Sequence, residues 1–267
     1  MRHEGIEMAI ERVPTRIVSL APSNTEILFA LGLGDNVVGV TSYCNYPEEA
    51  GKKEIINGFA TLDPEKIIAL KPDLILAFGT LQQSVVAQLQ ERGQTVSWFY
   101  PHTITQIYES FEKIGELTGS SVAAQRLRKE VEEKVEAVRA RVRNILPQES
   151  PTVFRVMRLD PLGTIGGDAF QTGIYHLAGG KNVFADNGQD YFELEFETLL
   201  ELDPDIIVIA GEDEEKAKAR ITNRQEWAGL TAVKKDRIAV ISAQLICRPG
   251  SRLAQTVEQL VKQFHPE

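Results

Sequence analysis

The sequence predicts an α/β protein of two similar lobes, each built on a parallel central sheet, bridged by one long helix. Three observations carry this. The phrase EKIIALKPDLILA (Glu65–Ala77) returns as ETLLELDPDIIVI (Glu197–Ile209), without a gap and 132 positions later. LGLGDNVVGV (Leu31–Val40) returns as LAGGKNVFAD (Leu177–Asp186), where Gly34, Asn36 and Val37 match Gly180, Asn182 and Val183. Between the halves, SSVAAQRLRKEVEEKVEAVRARVRNILP (Ser120–Pro147) carries apolar residues at helical spacing.

Each half opens on a β-rich run, RIVSLAPS (Arg16–Ser23) or TVFRVMRL (Thr152–Leu159). A glycine-containing loop, a helix ending in Gly and a short strand follow, then the repeated helix, its Pro-Asp turn and a buried strand. The proline ends the helix because it disfavours helical geometry at the residue before it. LILAF (Leu74–Phe78) and IIVIA (Ile206–Ala210) are unbroken apolar runs, as expected of parallel strands covered on both faces. A helix and a last strand, QTVSWFY (Gln94–Tyr100) or RIAVIS (Arg237–Ser242), complete each half. Any α/β protein alternates in this way, but shared order with two gapless matches favours duplication. In the linking helix Leu127, Val131, Val135, Val138, Val142 and Ile145 form one face, Ser120 or Ser121 caps the start and Pro147 marks the stop. About 26 residues would span ~39 Å as a strut without a Gly or Pro hinge; a dimeric coiled-coil seam is the other use of such a stripe. The expected boundaries are 13–118 for the first lobe, 119–147 for the helix and 148–267 for the second lobe.

Composition narrows the function. At 267 residues, 43% hydrophobic and 25% charged, the chain can bury real cores. A net charge of −9 and pI near 5.2 exclude nucleic acid as an expected partner, because phosphate backbones need clustered Lys and Arg. No apolar run approaches the ~20 residues that span a bilayer. The opening MRHEGIEMAIERVPTR has no apolar core of a signal peptide. That fits a cytoplasmic protein, or an extracytoplasmic one whose leader is missing from this chain. Cys44 and Cys247 do not make a disulfide framework.

No catalytic constellation is legible. His3, His102, His176 and His265 show no zinc-ligand spacing, and neither a nucleophile elbow nor a Walker A loop occurs. Gly32 and Gly34 follow a helix and read as its C-cap, not as a dinucleotide loop. Gly163, Gly166 and Gly167 read as a strand-to-helix turn, with an anion-binding nest as the alternative. In open parallel lobes, ligands meet the carboxyl ends of the strands. There the sequence places Pro22, Ser23, Asn24, Tyr43, Cys44, Phe59 and Phe78 in the first half, and Phe170, Tyr191 and Arg248 in the second. Two such rims facing each other would make a cleft of aromatic faces and a few hydrogen-bonding groups, the makeup of a small-molecule site. Tyr43, Phe59 and Phe78 would equally suit a core.

These residues carry a resemblance. RIVSLAPSNTEILFALGLGDNVVGVTSYCNYPEEA, then LDPEKIIALKPDLILA and GGDAFQTGIYHLAGGKNVF, resembles the substrate-binding proteins of ABC importers for vitamin B12, ferric siderophores and haem, most closely the B12 branch. It covers roughly Arg16 to Leu260. The resemblance implies the helical-backbone periplasmic binding fold, a monomer without enzymatic activity or cofactor, and cobalamin or an iron chelate as ligand. It also implies a periplasmic or lipid-anchored cell-surface location and a membrane permease dimer as partner. Tyr43, Phe59 and Phe78 fall where B12 binders carry cleft aromatics, although tryptophan is usual at the last two. Arg248 falls near a polar cleft position, but SAQLICRPG lacks the Asp-Trp-Phe character found there in B12 binders. Glu65 and Glu197, matched in the repeat, fall where the family docks one acidic residue per lobe onto the permease.

Overall fold

The computed structural model describes residues 12–146 and 148–266. They form two compact units, the first ending with Pro101 and Ile107–Lys129, the second comprising His102–Gln106 and the residues from Glu130 onward. The first unit holds a five-stranded parallel sheet in the order β3-β2-β1-β4-β5. Its strands are β1 (Ile17–Ser19), β2 (Val37–Val40), β3 (Glu54–Ile55), β4 (Leu74–Phe78) and β5 (Val96–Phe99), interleaved with α1 (Pro22–Ala30), α2 (Pro64–Ala69) and α3 (Gln83–Glu91). After them come α4 (Ile104–Leu117) and α5 (Ser121–Arg139). The division between units falls inside both of these helices.

The second unit has a four-stranded parallel sheet, β12-β11-β6-β9, and a separate three-stranded antiparallel sheet, β10-β8-β7. In chain order its elements are β6 (Thr152–Val156), β7 (Arg158–Leu159), β8 (Leu162–Ile165), α6 (Phe170–Leu177), β9 (Lys181–Asn182), β10 (Tyr191–Glu193), α7 (Phe196–Leu202) and β11 (Ile206–Ala210). They continue with α8 (Glu214–Thr222), α9 (Thr231–Lys234), β12 (Ile238–Ile241), α10 (Ala243–Ile246) and α11 (Leu253–Phe264).

The repeated phrase folds alike in both places. β4 and β11 begin 132 positions apart, as the phrase does, and each is the strand next to the opening strand of its unit. Leu74–Ala77 are wholly buried, and Ile206–Ile209 nearly so. On one face of β4, Ile75 and Ala77 pack with Ile67 of α2 and Leu89 of α3. On one face of β11, Ile207 and Ile209 pack with Leu199 of α7, Ile221 of α8 and Trp227.

The Pro-Asp pair has a structural reason in each copy. Lys71 (φ +49°) and Asp203 (φ +38°) adopt left-handed geometry just before the proline, turning the chain out of the helix. The aspartate after the proline then fastens the neighbouring strand. Asp73 accepts from Thr15 N–H at 2.8 Å, Thr15 Oγ1 at 3.1 Å and Arg16 N–H at 2.9 Å. Asp205 accepts from Thr152 N–H at 2.8 Å and Thr152 Oγ1 at 2.7 Å. The helices before the second match also end alike, one position out of step with it: Leu33 N–H returns to Leu28 O around left-handed Gly32, and Gly180 N–H to Tyr175 O around left-handed Gly179.

Two expectations need correction. The run Thr152–Leu159 is not one strand: it breaks at Met157, and only β6 joins the parallel sheet. Arg158–Leu159 fold back on Leu162–Ile165 through the Asp160-Pro161 turn, so Gly163 lies within a strand and not in a strand-to-helix loop. The long helix also stops early. α5 has 19 residues, about 28 Å at 1.5 Å per residue. Past Ala140 the bonds tighten to three-residue spacing, Arg141 N–H to Val138 O and Val142 N–H to Arg139 O, which ends the α-helical ladder. The stripe itself is inward: Val131, Val135, Val138 and Val142 are buried, with Leu127 and Ile145 half-buried. The expected stop at Pro147 lies outside the described residues.

Candidate ligand-binding residues and their surroundings

The first unit gathers aromatic rings where its parallel strands end. Phe78 closes β4 and Tyr100 follows β5, with their ring centroids 6.5 Å apart and nearly perpendicular. Phe59, from the segment after β3, meets Phe78 at 6.4 Å and 58°. Tyr43 follows β2, is 58% exposed, and its ring edge stands by Gly58. Phe59, Phe78 and Tyr100 are half-buried, so each offers part of a ring to solvent. Offset and edge-on rings of this kind suit flat apolar surfaces.

Gln82 sets this arrangement and is wholly buried. Its Oε1 accepts from Phe78 N–H at 2.9 Å, and its Nε2 donates to Leu20 O at 2.7 Å and Phe59 O at 3.1 Å. One amide therefore fixes the end of β4, the end of β1 and the Phe59 segment together. Trp98 Nε1 donates to Gly79 O at 2.9 Å, and Gly79 takes a left-handed φ of +69° to leave the strand. The sequence reading missed Gln82. Its one outward signal is a glutamine in a short turn just beyond a buried strand.

Pro22, Ser23 and Asn24 form the first turn of α1, but Ser23 and Asn24 are buried. Asn24 Nδ2 donates to Ala77 O at 3.1 Å, tying the helix to β4. Cys44 is also turned inward, at 3% exposure. Its Sγ stands 3.2 Å from both Thr25 Oγ1 and Thr41 Oγ1. Neither cysteine is in a disulfide.

In the second unit Phe170 opens α6 and is buried, whereas Tyr191 opens β10 at 40% exposure. The Tyr191 ring crosses Gly163, where a Cβ would come within 2.0 Å of its Oη, so a side chain there would displace the ring. Neither Phe170 nor Tyr191 pairs with another aromatic ring among the described residues. Arg248 is half-buried just beyond α10.

Glu65 and Glu197 occupy the second position of α2 and α7, the same place in the two copies. Both are exposed. Glu65 pairs with Arg92 at 2.5 Å, whereas Glu197 makes no ion pair among the described residues. His102 Nδ1 lies 2.8 Å from Asp168 O, and His3 lies outside the described residues. No group of three or more His, Cys, Asp or Glu residues placed to hold a metal occurs among the described residues. No described helix is long and apolar enough to cross a membrane.

Known proteins share this architecture. An ABC transporter substrate-binding lipoprotein of Bacillus subtilis is 35% identical over 98% of this chain and 83% of its own length. A vitamin B12-binding protein of Yersinia pestis is 33% identical over 73% of this chain and 69% of its own. Among solved structures, a periplasmic heme-binding protein of Roseiflexus superposes with a TM-score of 0.82 at 26% identity, covering 94% of this chain and 97% of that one. A family model described as periplasmic binding protein matches residues 17–245. The chain belongs to the periplasmic binding protein family.

Proposed function

We propose that this chain is the substrate-binding component of an ABC importer and that its ligand is a corrinoid, bound without chemical change. The observation that carries the reading is the ring cluster of Phe59, Phe78 and Tyr100 beside exposed Tyr43, at the carboxyl ends of parallel strands. A corrin macrocycle presents broad apolar faces edged with amides, which such rings and nearby backbone groups can contact. The B12-binding relative supports the same reading. For Phe170 and Tyr191 the ligand-contact role rests on their places near strand ends in the sequence of the second half, and for Arg248 on the strand-end position and the resemblance.

The lipoprotein relative supports an extracytoplasmic location and a membrane permease as partner. Glu65 and Glu197 are the proposed permease contacts. A helix-start carboxylate has a simpler use in offsetting the helix dipole, worth about 0.3–1 kcal/mol. That use does not require glutamate at the matched position of both copies. Two carboxylates engaging two basic pockets would orient the docked protein and raise the effective concentration of the second contact.

Haem or a ferric siderophore is the second reading, favoured by the similarity to a heme-binding protein. Absorbance spectra after incubation and gel filtration separate the two. The corrinoid reading expects cyanocobalamin to co-elute at one per chain. Retention of haemin or a ferric siderophore, with cobalamin washed away, would replace it.

A further inference from the structure

A pocket of about 960 Å³ runs along α6 of the second unit. Five basic side chains line it: Arg139 at the end of α5, Arg143 beyond it, Lys181 of β9, His102 and His176. No carboxylate lines it among the described residues. In a chain with a net charge of −9, this local sign is opposite to the whole.

Helix dipoles account for part of it. Arg139 and His176 stand in the last turns of α5 and α6, where a cation offsets the partial negative charge of the helix end. That explanation does not reach Arg143 or Lys181. Lys181 is exposed and has no ion pair among the described residues. Arg139 and Arg143 share the single carboxylate of Glu136, at 3.2 and 3.7 Å, with all three side chains about half or more exposed. Such pairs are weak, and two guanidiniums on one carboxylate leave positive charge over.

Part of the lining is an apolar floor, supplied by Ile104, Val142 and Ile145 with Gly173 and Gly179, and uncharged polar residues such as Thr103 and Ser150 complete it. Both glycines are filled against this floor: a Cβ on Gly173 would stand 3.0 Å from Ile104, and one on Gly179 3.1 Å from Val142. An inorganic ion would use the cations and leave the floor unused. We infer that this pocket binds a small organic anion, a phosphate ester or carboxylate with an apolar body, the charge meeting Lys181 and Arg143 and the body lying on Ile104 and Val142. Phe170, Tyr191 and Arg248 do not line it, so the inference stands apart from the corrinoid reading.

Calorimetric titration of the full chain with phenyl phosphate, inorganic phosphate and phenol tests it, with phosphatidylglycerol vesicles as a further arm. Phenyl phosphate is expected to bind at least about tenfold more tightly than either fragment, because charge and apolar area act together. The double variant Lys181→Glu with Arg143→Glu should lose that binding while keeping the wild-type melting temperature, since both side chains are exposed. The inference is overturned if phenyl phosphate binds no better than inorganic phosphate, if the charge reversals leave its affinity unchanged, or if only the vesicles bind.

Discussion

Asp73 fastens Thr15 and Arg16 in the first unit, and Asp205 fastens Thr152 in the second. A left-handed residue precedes the proline in both, and the strand that follows is buried in both. Past the strand ends the likeness stops. In the first unit, buried Gln82 draws Phe59 and Phe78 into a ring cluster. Counting 132 positions on from Gln82 reaches Glu214, a 72% exposed residue opening α8 with no such duty. The second unit instead interposes the antiparallel strands β7 and β8 between β6 and α6, and β10 joins them later. The repeat thus preserves what wires a parallel sheet, whereas the residues suited to binding lie where the copies diverge.

The largest effect should come from the exposed helix-start glutamates that the copies share. Changing Glu65 and Glu197 together to alanine should nearly abolish uptake by a reconstituted transporter while leaving ligand affinity unchanged. Because Arg92 already engages Glu65, Glu197→Ala should cost more uptake than Glu65→Ala. Normal uptake by the double variant would reduce both to helix-start residues.

Gln82→Ala removes the three hydrogen bonds of a buried amide and leaves Phe78 N–H and two carbonyls to find new partners. It should destabilise the protein by about 3 kcal/mol in urea titrations. Glu214→Ala should change stability by less than about 0.5 kcal/mol. Equal effects would erase the distinction between the copies. The aspartate clamps make the opposite comparison: Asp73→Ala and Asp205→Ala should each cost about 1–2 kcal/mol, and by similar amounts.

The smallest effect is a pH dependence confined to the second unit. Desolvation lowers the His265 pKa below its ordinary value, outweighing its hydrogen bond to Ala178 O at 3.0 Å. The unfolded chain then binds the proton more readily than the folded one. The contribution is present above the ordinary value of about 6.5 and is lost as pH falls through the lowered folded value. Urea midpoints of the wild type should therefore decline as pH falls below about 6.5, and His265→Gln should decline less.

The fold was legible because its signals are local and periodic. An unbroken apolar run, a glycine after a helix and a Pro-Asp pair each dictate backbone geometry within a few residues. The second unit's antiparallel sheet was hidden because Thr152–Leu159 reads as one apolar-rich run, and only the fold-back at Asp160-Pro161 divides it. The early end of α5 was hidden for a similar reason, since Val142 and Ile145 keep the helical spacing through turns that are no longer α-helical. At the site, ring positions could be read from strand ends. The inward turn of Cys44 toward Thr25 and Thr41, and the reach of Gln82 to Leu20, depend on partners 19 and 62 residues away. No local pattern encodes them.

The proposed ligand contacts are the aromatic strand ends of the first unit. Calorimetric titration of cyanocobalamin into wild type, Phe59→Ala and Phe78→Ala tests this most directly. One site per chain is expected, weakened by about 1–2 kcal/mol in each variant as ring contact is lost. Wild-type affinity in both variants, or no heat from cobalamin with the wild type, would contradict it.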